Sequence, residues 1–126
     1  MAGYSFPKNE KLKSRKLITM LFEKGHTEYL FPLKTYWMTS SDEFPPGVKA
    51  GFSVPKKKFK RAVDRNLLKR RMREAYRLNK AEIITKALEK NITLSIFFIF
   101  TANKILNYHQ IEETVIAKLE AISKKI

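Results

Sequence analysis

The eight residues TLSIFFIF, Thr93 to Phe100, form the most hydrophobic segment of the chain. A run this short, rich in β-branched and aromatic residues, reads as a strand, and with so little to offer water it reads as a central strand covered on both faces. The rest of the chain must then supply layers around a sheet. With 126 residues, 44% of them hydrophobic and 12% aromatic, there is material for a single domain over residues 1–126 and too little for two.

The flanking sequence supplies those layers. Ser14 to Lys24 reads as a helix, with Leu17, Ile18, Leu21 and Phe22 on one side and Gly25 as its stop. Tyr29 to Thr39 reads as a strand that Pro32 begins or places at an edge, and Val48 to Val54 as a second, with Val48, Ala50, Phe52 and Val54 alternating against polar or small residues. The turn composition of Ser41 to Gly47 predicts a hairpin between them. Pro55 to Arg61 is too charged for a core and reads as an exposed connection. Asp64 is placed to cap a helix running to about Asn79, and a further helix over Ala81 to Lys90 is broken by Asn91. After the apolar strand, Ile111, Val115, Ile116, Leu119 and Ile122 mark a closing amphipathic helix from Tyr108 or His109. The order αββααβα, without repeats or linkers, predicts an α+β layer sandwich.

Cysteine is absent, which excludes disulfides and thiolate metal sites. The first residues hold no apolar run of signal-peptide length, and Leu94 to Phe100 is far short of the ~20 residues that span a bilayer. The expectation is a soluble cytoplasmic protein. Its charge is concentrated: residues 49–80 carry 13 Lys and Arg against 2 Asp and Glu, which is +11 of the chain's +14. Such a patch attracts polyanions, nucleic acid first, then anionic membrane, then acidic protein.

On a wheel at 100° per residue with Arg65 at zero, Arg65, Lys69, Arg73, Asn66, Arg77 and Arg70 occupy an arc from 0° to about 140°. Leu67, Leu68, Met72, Ala75 and Leu78 fall between about 200° and 340°. One face is core and the other a basic stripe. The stripe lacks the acidic i,i+4 partners usual on a solvated helix, so repulsion between its cations is best offset by an external anion. Arginine's planar fork suits phosphate, Asn66 suits a base or sugar edge, and Lys56, Lys57, Lys58, Lys60 and Arg61 lead into the positive end of the same helix.

Gly51 to Arg77, GFSVPKKKFKRAVDRNLLKRRMREAYR, resembles the signature of the bacterial ribonuclease P protein subunit: a Gly-apolar-Ser/Thr-Val strand, a Lys-Lys pair and Arg-Asn-x-x-Lys-Arg-x-x-Arg-Glu. Gly51, Ser53, Val54, Lys56, Lys57, Arg65, Asn66, Lys69, Arg70, Arg73 and Glu74 carry the match, and the flanking elements agree with it. The resemblance implies a two-layer α/β sandwich, ribosomal protein S5 domain 2-like, with a left-handed βαβ crossover. It also implies a protein that assists a catalytic RNA in cutting the 5′ leader from precursor tRNA, with Mg²⁺ serving the RNA and no cofactor on the protein. Contacts to the catalytic RNA would come from the five connection residues, Arg65, Asn66, Lys69, Arg70, Arg73 and Arg77. A leader cleft between the first helix and the sheet would use Phe22 and Tyr36, with Ile18 where several members have an aromatic residue. Two positions depart from the pattern. Leu67 stands where many members have arginine, and Arg71 falls in the apolar arc. The expectation drawn from them is that Arg71 serves the RNA from one turn further along.

Other function classes are weaker. A protein-only nuclease needs clustered carboxylates, yet the aspartates are only Asp42 and Asp64, and His26 and His109 stand in no motif. A ribosomal or other basic RNA-binding protein shares the charge but not the signature. A DNA-binding helix-turn-helix would place a helix and tight turn before the basic helix, and a membrane-surface helix would expose bulky apolar residues beside its cations. Leu67, Leu68 and Met72 are expected in the core instead, so neither DNA nor membrane is an expected partner.

Overall fold

A computed structural model of the chain describes residues 10–40 and 45–126. Its elements are α1 (Arg15–Lys24), β1 (His26–Leu30), β2 (Leu33–Ser40), β3 (Gly47–Ser53), α2 (Ala62–Asn79), α3 (Ala81–Glu89), β4 (Thr93–Phe100) and α4 (Tyr108–Lys125). The four strands form one sheet in the order β1-β2-β4-β3. The apolar strand β4 lies inside it, antiparallel to β2 and parallel to β3.

Two expectations change here. The stretch read as one strand from Tyr29 is two, β1 and β2, folded back at Phe31-Pro32, whose peptide is cis. Pro32 therefore sits in a turn, where its carbonyl accepts from the Thr101 N–H (2.8 Å) and hydroxyl (2.9 Å). The expected hairpin between Tyr29–Thr39 and Val48–Val54 does not form, because β4 separates β2 from β3. The physical reason is that the most apolar strand gains most from a position with neighbours on both edges, which outweighs the tendency of consecutive strands to pair. Residues 41–44 of the expected turn, Asp42 among them, lie outside the described residues.

The two faces of the sheet are unequal. Leu33, Trp37, Val48, Ala50, Leu94, Ile96, Phe98 and Phe100 pack with α2, α3 and α4 in the main core. The other face is covered by Leu17 and Leu21 of α1 and by Leu12 ahead of it, which pack with Ile18, Tyr36, Met38 and Phe97. β4 is buried on both faces at Thr93–Ile96, but Phe97 and Ile99 are only half-buried. Its double cover is partial, and the gap is a cleft.

Local chemistry explains the ends. Ser14 caps α1 by accepting from the Leu17 N–H at 3.3 Å. Gly25 ends that helix in extended rather than left-handed backbone (φ −71°, ψ 160°). Its value is closeness: a Cβ there would stand 2.4 Å from the Leu21 carbonyl oxygen and 3.2 Å from that of Trp37. Asn91, at φ 56°, takes the left-handed turn between α3 and β4. Asn107 and Gln110 form a reciprocal capping box on α4. Asp64 is not the cap of α2; Arg61 holds that position without a side-chain bond, and Asp64 lies in the first turn.

The edge strand β1 is fastened to α4 by charge. Glu28 accepts from Trp37 Nε1 (3.1 Å), Lys118 Nζ (3.1 Å) and Lys125 Nζ (2.6 Å). The bond from Lys125 leads the causes that lower its carboxyl to about 2, partial burial opposes them, and Lys118 and Trp37 add to the lowering. In the unfolded chain Glu28 takes up its proton near the ordinary value of 4.5, before the folded chain does. Its stabilisation is therefore complete above about 4.5 and is lost as pH falls toward about 2. In thermal melts across that window, Glu28→Gln should start less stable at neutral pH and lose less on acidification than the parent chain.

Candidate nucleic-acid interface

The segment Pro55–Arg61 is built rather than loose. Phe59 is buried, its ring 5.7 Å from that of Phe100, and Lys58 Nζ donates to the Thr101 carbonyl. Arg65 reaches back from the first turns of α2, Nη1 donating to the carbonyls of Phe59 (2.7 Å) and Lys60 (2.8 Å). One hydrophobic anchor and two cations bonded to backbone carbonyls leave Lys56, Lys57, Lys60 and Arg61 exposed around the start of α2. First-turn amides and the positive end of the helix dipole add to their field.

Along α2 the buried residues are Leu68, Met72, Ala75 and Tyr76. Tyr76 falls at about 20° on the wheel, inside the arc read as basic, yet it is fully buried and meets Phe52 edge-on at 5.9 Å. The core face is rotated because α2 is held between the sheet and α4. Leu67 is consequently only half-buried and Leu78 is 40% exposed, contrary to the expectation that the apolar arc was all core. Asn66, Arg70 and Arg73 are exposed, and Lys69 is half-buried beside β3. Arg77 pairs with Glu74 one turn earlier, so the stripe does carry one acidic partner, and that pairing holds the Glu74 carboxyl below its ordinary range.

Arg71 differs from the others. Its Nη1 donates to the Leu106 carbonyl at 2.5 Å, tying α2 to the segment that enters α4. The half-buried guanidinium spends one nitrogen on the fold, whereas Arg70 one residue before is exposed.

The second part lies between α1 and the sheet. Phe22, 46% exposed, meets Tyr36 edge-on at 4.8 Å and Phe97 at 5.4 Å. Ile18 packs half-buried in the same cluster. Tyr36 faces Phe97 in the β2/β4 register, and Phe97 faces Gly51 in the β3/β4 register, so the three form one row across the sheet. A Cβ on Gly51 would stand 2.8 Å from the Phe97 ring, which is why this strand position carries no side chain. Lys34 Nζ lies 5.2 Å from the centre of the Tyr36 ring, a cation–π distance. Phe97 and Lys34 were not among the candidates from sequence. Alternation within TLSIFFIF would have set Phe97 opposite Phe98, but reading the strand as fully covered hid that face.

A groove of about 350 Å³ joins the two parts, bordered by Lys11, Lys13, Gly51, Asn66, Lys69 and Arg73. Gly51, which faces Phe97 in the sheet, thus borders both the partly open aromatic row and this line of cations. His26 stacks on Trp37 at 4.3 Å, on the opposite face of the sheet from Phe97. Among the described residues no three His, Asp or Glu side chains gather as metal ligands would.

A family model described as Ribonuclease P matches residues 6–125. The chain belongs to the ribonuclease P protein family. It is 30% identical over 125 residues to a ribonuclease P protein component of Porphyromonas gingivalis, covering 99% of this chain and 91% of that one. It is 33% identical over 128 residues to the component from Citrifermentans bemidjiense, covering 99% and 98%. The fold matches a solved structure of Staphylococcus aureus RNase P protein with TM-score 0.69 and 24% identity, covering 91% of this chain and 95% of that one. Membership makes this chain a protein subunit of a ribonucleoprotein endoribonuclease and the RNA subunit its partner. The reading as a ribosomal or other basic RNA-binding protein gives way to it.

Arg65→Ala should release the connection it clamps. Amide hydrogen exchange at residues 56–61 of the free ribonuclease P protein is expected to rise by about tenfold or more, the effect of losing two charge-assisted bonds, while exchange in β4 stays unchanged.

Proposed function

We propose that the exposed face of α2 and the connection before it hold the catalytic RNA, while the Phe22–Tyr36–Phe97 cleft takes the single-stranded 5′ leader of precursor tRNA, in the cytoplasm. The observation that carries this reading is the aromatic row left open between α1 and the sheet, which meets the basic groove beside α2 at Gly51. Phosphates recruit Arg and Lys without reading sequence, and base stacking on rings tolerates any base. That combination suits a leader that varies from one tRNA to the next. The protein's part is to bind and to align. Cleavage itself falls to the RNA with its Mg²⁺, since hydrolysis by the protein would need a general acid and base or clustered metal ligands.

Within this scheme Lys56, Lys57, Lys60, Arg61, Asn66, Lys69, Arg70 and Arg73 touch RNA. Arg65 and Lys58 act by shaping the connection, and Arg71 by fixing α2 to the segment before α4.

The experiment is reconstitution with a bacterial ribonuclease P RNA and precursor tRNA at low Mg²⁺. Addition of the protein should restore cleavage at the mature 5′ end, and no restoration would defeat the proposal. Phe22→Ala should weaken precursor tRNA binding by about 5–100-fold, the worth of one stacked base, while leaving mature tRNA binding unchanged. Arg70→Ala should lower the salt slope of RNA affinity by about one with little change in melting temperature. Arg71→Ala should do the reverse, leaving the slope alone and costing about 1–2 kcal/mol of stability.

A further inference from the structure

The basic face of α2 is not uniformly charged. Val63 is 60% exposed and Leu67 half-buried. Both line an open groove of about 690 Å³ shared with Lys11, Asn66, Arg70, Arg73 and the paired Glu74 and Arg77. At i,i+4 spacing Val63 and Leu67 are neighbours, with Cβ atoms about 5–6 Å apart, and Asn66, Arg70 and Glu74 form a second row beside them by the same spacing. The helix thus presents an apolar strip flanked by a hydrogen-bonding and cationic strip.

A sugar–phosphate backbone makes use of the cations but not of the apolar strip. The flat face of a nucleobase does, because laying it on Val63 and Leu67 removes both surfaces from water. Bases inside an A-form duplex keep their faces in the stack, so only an unpaired nucleotide could lie this way. Glu74 narrows the chemistry further. Both its carboxylate oxygens accept from Arg77, and the lone pairs they have left can only accept further hydrogen bonds. The edge turned toward it must be an N–H edge, such as the Watson–Crick edge of guanine or an exocyclic amine. Asn66 can both donate and accept.

We propose that this groove receives one unstacked nucleotide of the catalytic RNA, its base lying on Val63 and Leu67, its donor edge toward Glu74 and its phosphate held by Arg70 and Arg73. This rests on the reading of α2 as the face for that RNA. The same face then discriminates the correct RNA from other polyanions, because heparin or a plain duplex offers charge without a free base.

The test measures affinity for ribonuclease P RNA and for heparin over a range of salt, with Val63→Ser, Leu67→Ser, Arg70→Ala and Arg73→Ala, each checked by thermal melting. Each serine variant should lose about 5–30-fold in RNA affinity, the worth of the apolar contact removed, with the salt slope and heparin affinity unchanged. Each alanine variant should lower the slope toward both ligands. Serine variants that bind the RNA like the parent overturn the nucleotide groove and leave the role of α2 standing, as do serine variants that lose RNA and heparin in parallel. Alanine variants that bind the RNA like the parent overturn the role of α2 itself. Val63 is far enough exposed that its substitution tests the groove even if Leu67→Ser perturbs the helix.

Discussion

Everything in this molecule is arranged around where β4 lies. A strand of this apolarity is stable only with partners along both edges and cover on both faces, and it obtains the edges from β2 on one side and β3 on the other. Parallel pairing with β3 requires a long return path, since parallel strands cannot be joined by a tight turn. α2 and α3 are that path. The basic helix is therefore not an appendage on a finished fold but the connection that lets β4 occupy the centre, and its inner face is committed to the core while its outer face carries the exposed cations.

Cover on the second face is where function enters. α1 is ten residues long and shields only part of the sheet. Phe97 and Ile99 remain half-buried, and Gly51 keeps the row beside Phe97 low. Completing that layer would bury more apolar surface and remove the cleft. Some burial is thus given up and the rings of Phe22, Tyr36 and Phe97 stay partly open, the kind of relaxed local rule that the proposed cleft would use.

Much of this was legible from residues alone. The helices were placed because their apolar spacing is regular, Ser14 to Lys24 and the final helix above all, and β4 because nothing else in the chain is so apolar. The hairpin between β2 and β3 was misjudged because strand order depends on competition for the central position, a comparison between distant segments that local pattern does not contain. Phe31-Pro32 hid a turn inside what looked like one strand. Around α2 the charge and the Arg-Asn-x-x-Lys-Arg-x-x-Arg-Glu spacing located the surface, but the wheel could not say which cations turn inward. Arg65 on two loop carbonyls, Arg71 on Leu106 and the rotation that buries Tyr76 are tertiary facts, set by α4 and the connection rather than by helical period. The same rotation leaves Leu67 only half-buried, which gives the departure from the family pattern at that position a structural meaning.

The fastening of Glu28 also bears on solubility. Among the described residues β1 is a free edge of the sheet, whereas the β3 edge is met in part by the bridge between Lys11 and Ala50. An unpaired edge invites another strand to add to it, and an inward-pointing charge is one of the devices that discourage this. Here Glu28 turns a carboxylate toward Trp37 and two lysines of α4, so a strand docking along β1 would have to lie over a charged, specifically bonded residue instead of a continuous apolar ladder. The chain thereby carries, on the side away from β3, its own guard against pairing with itself.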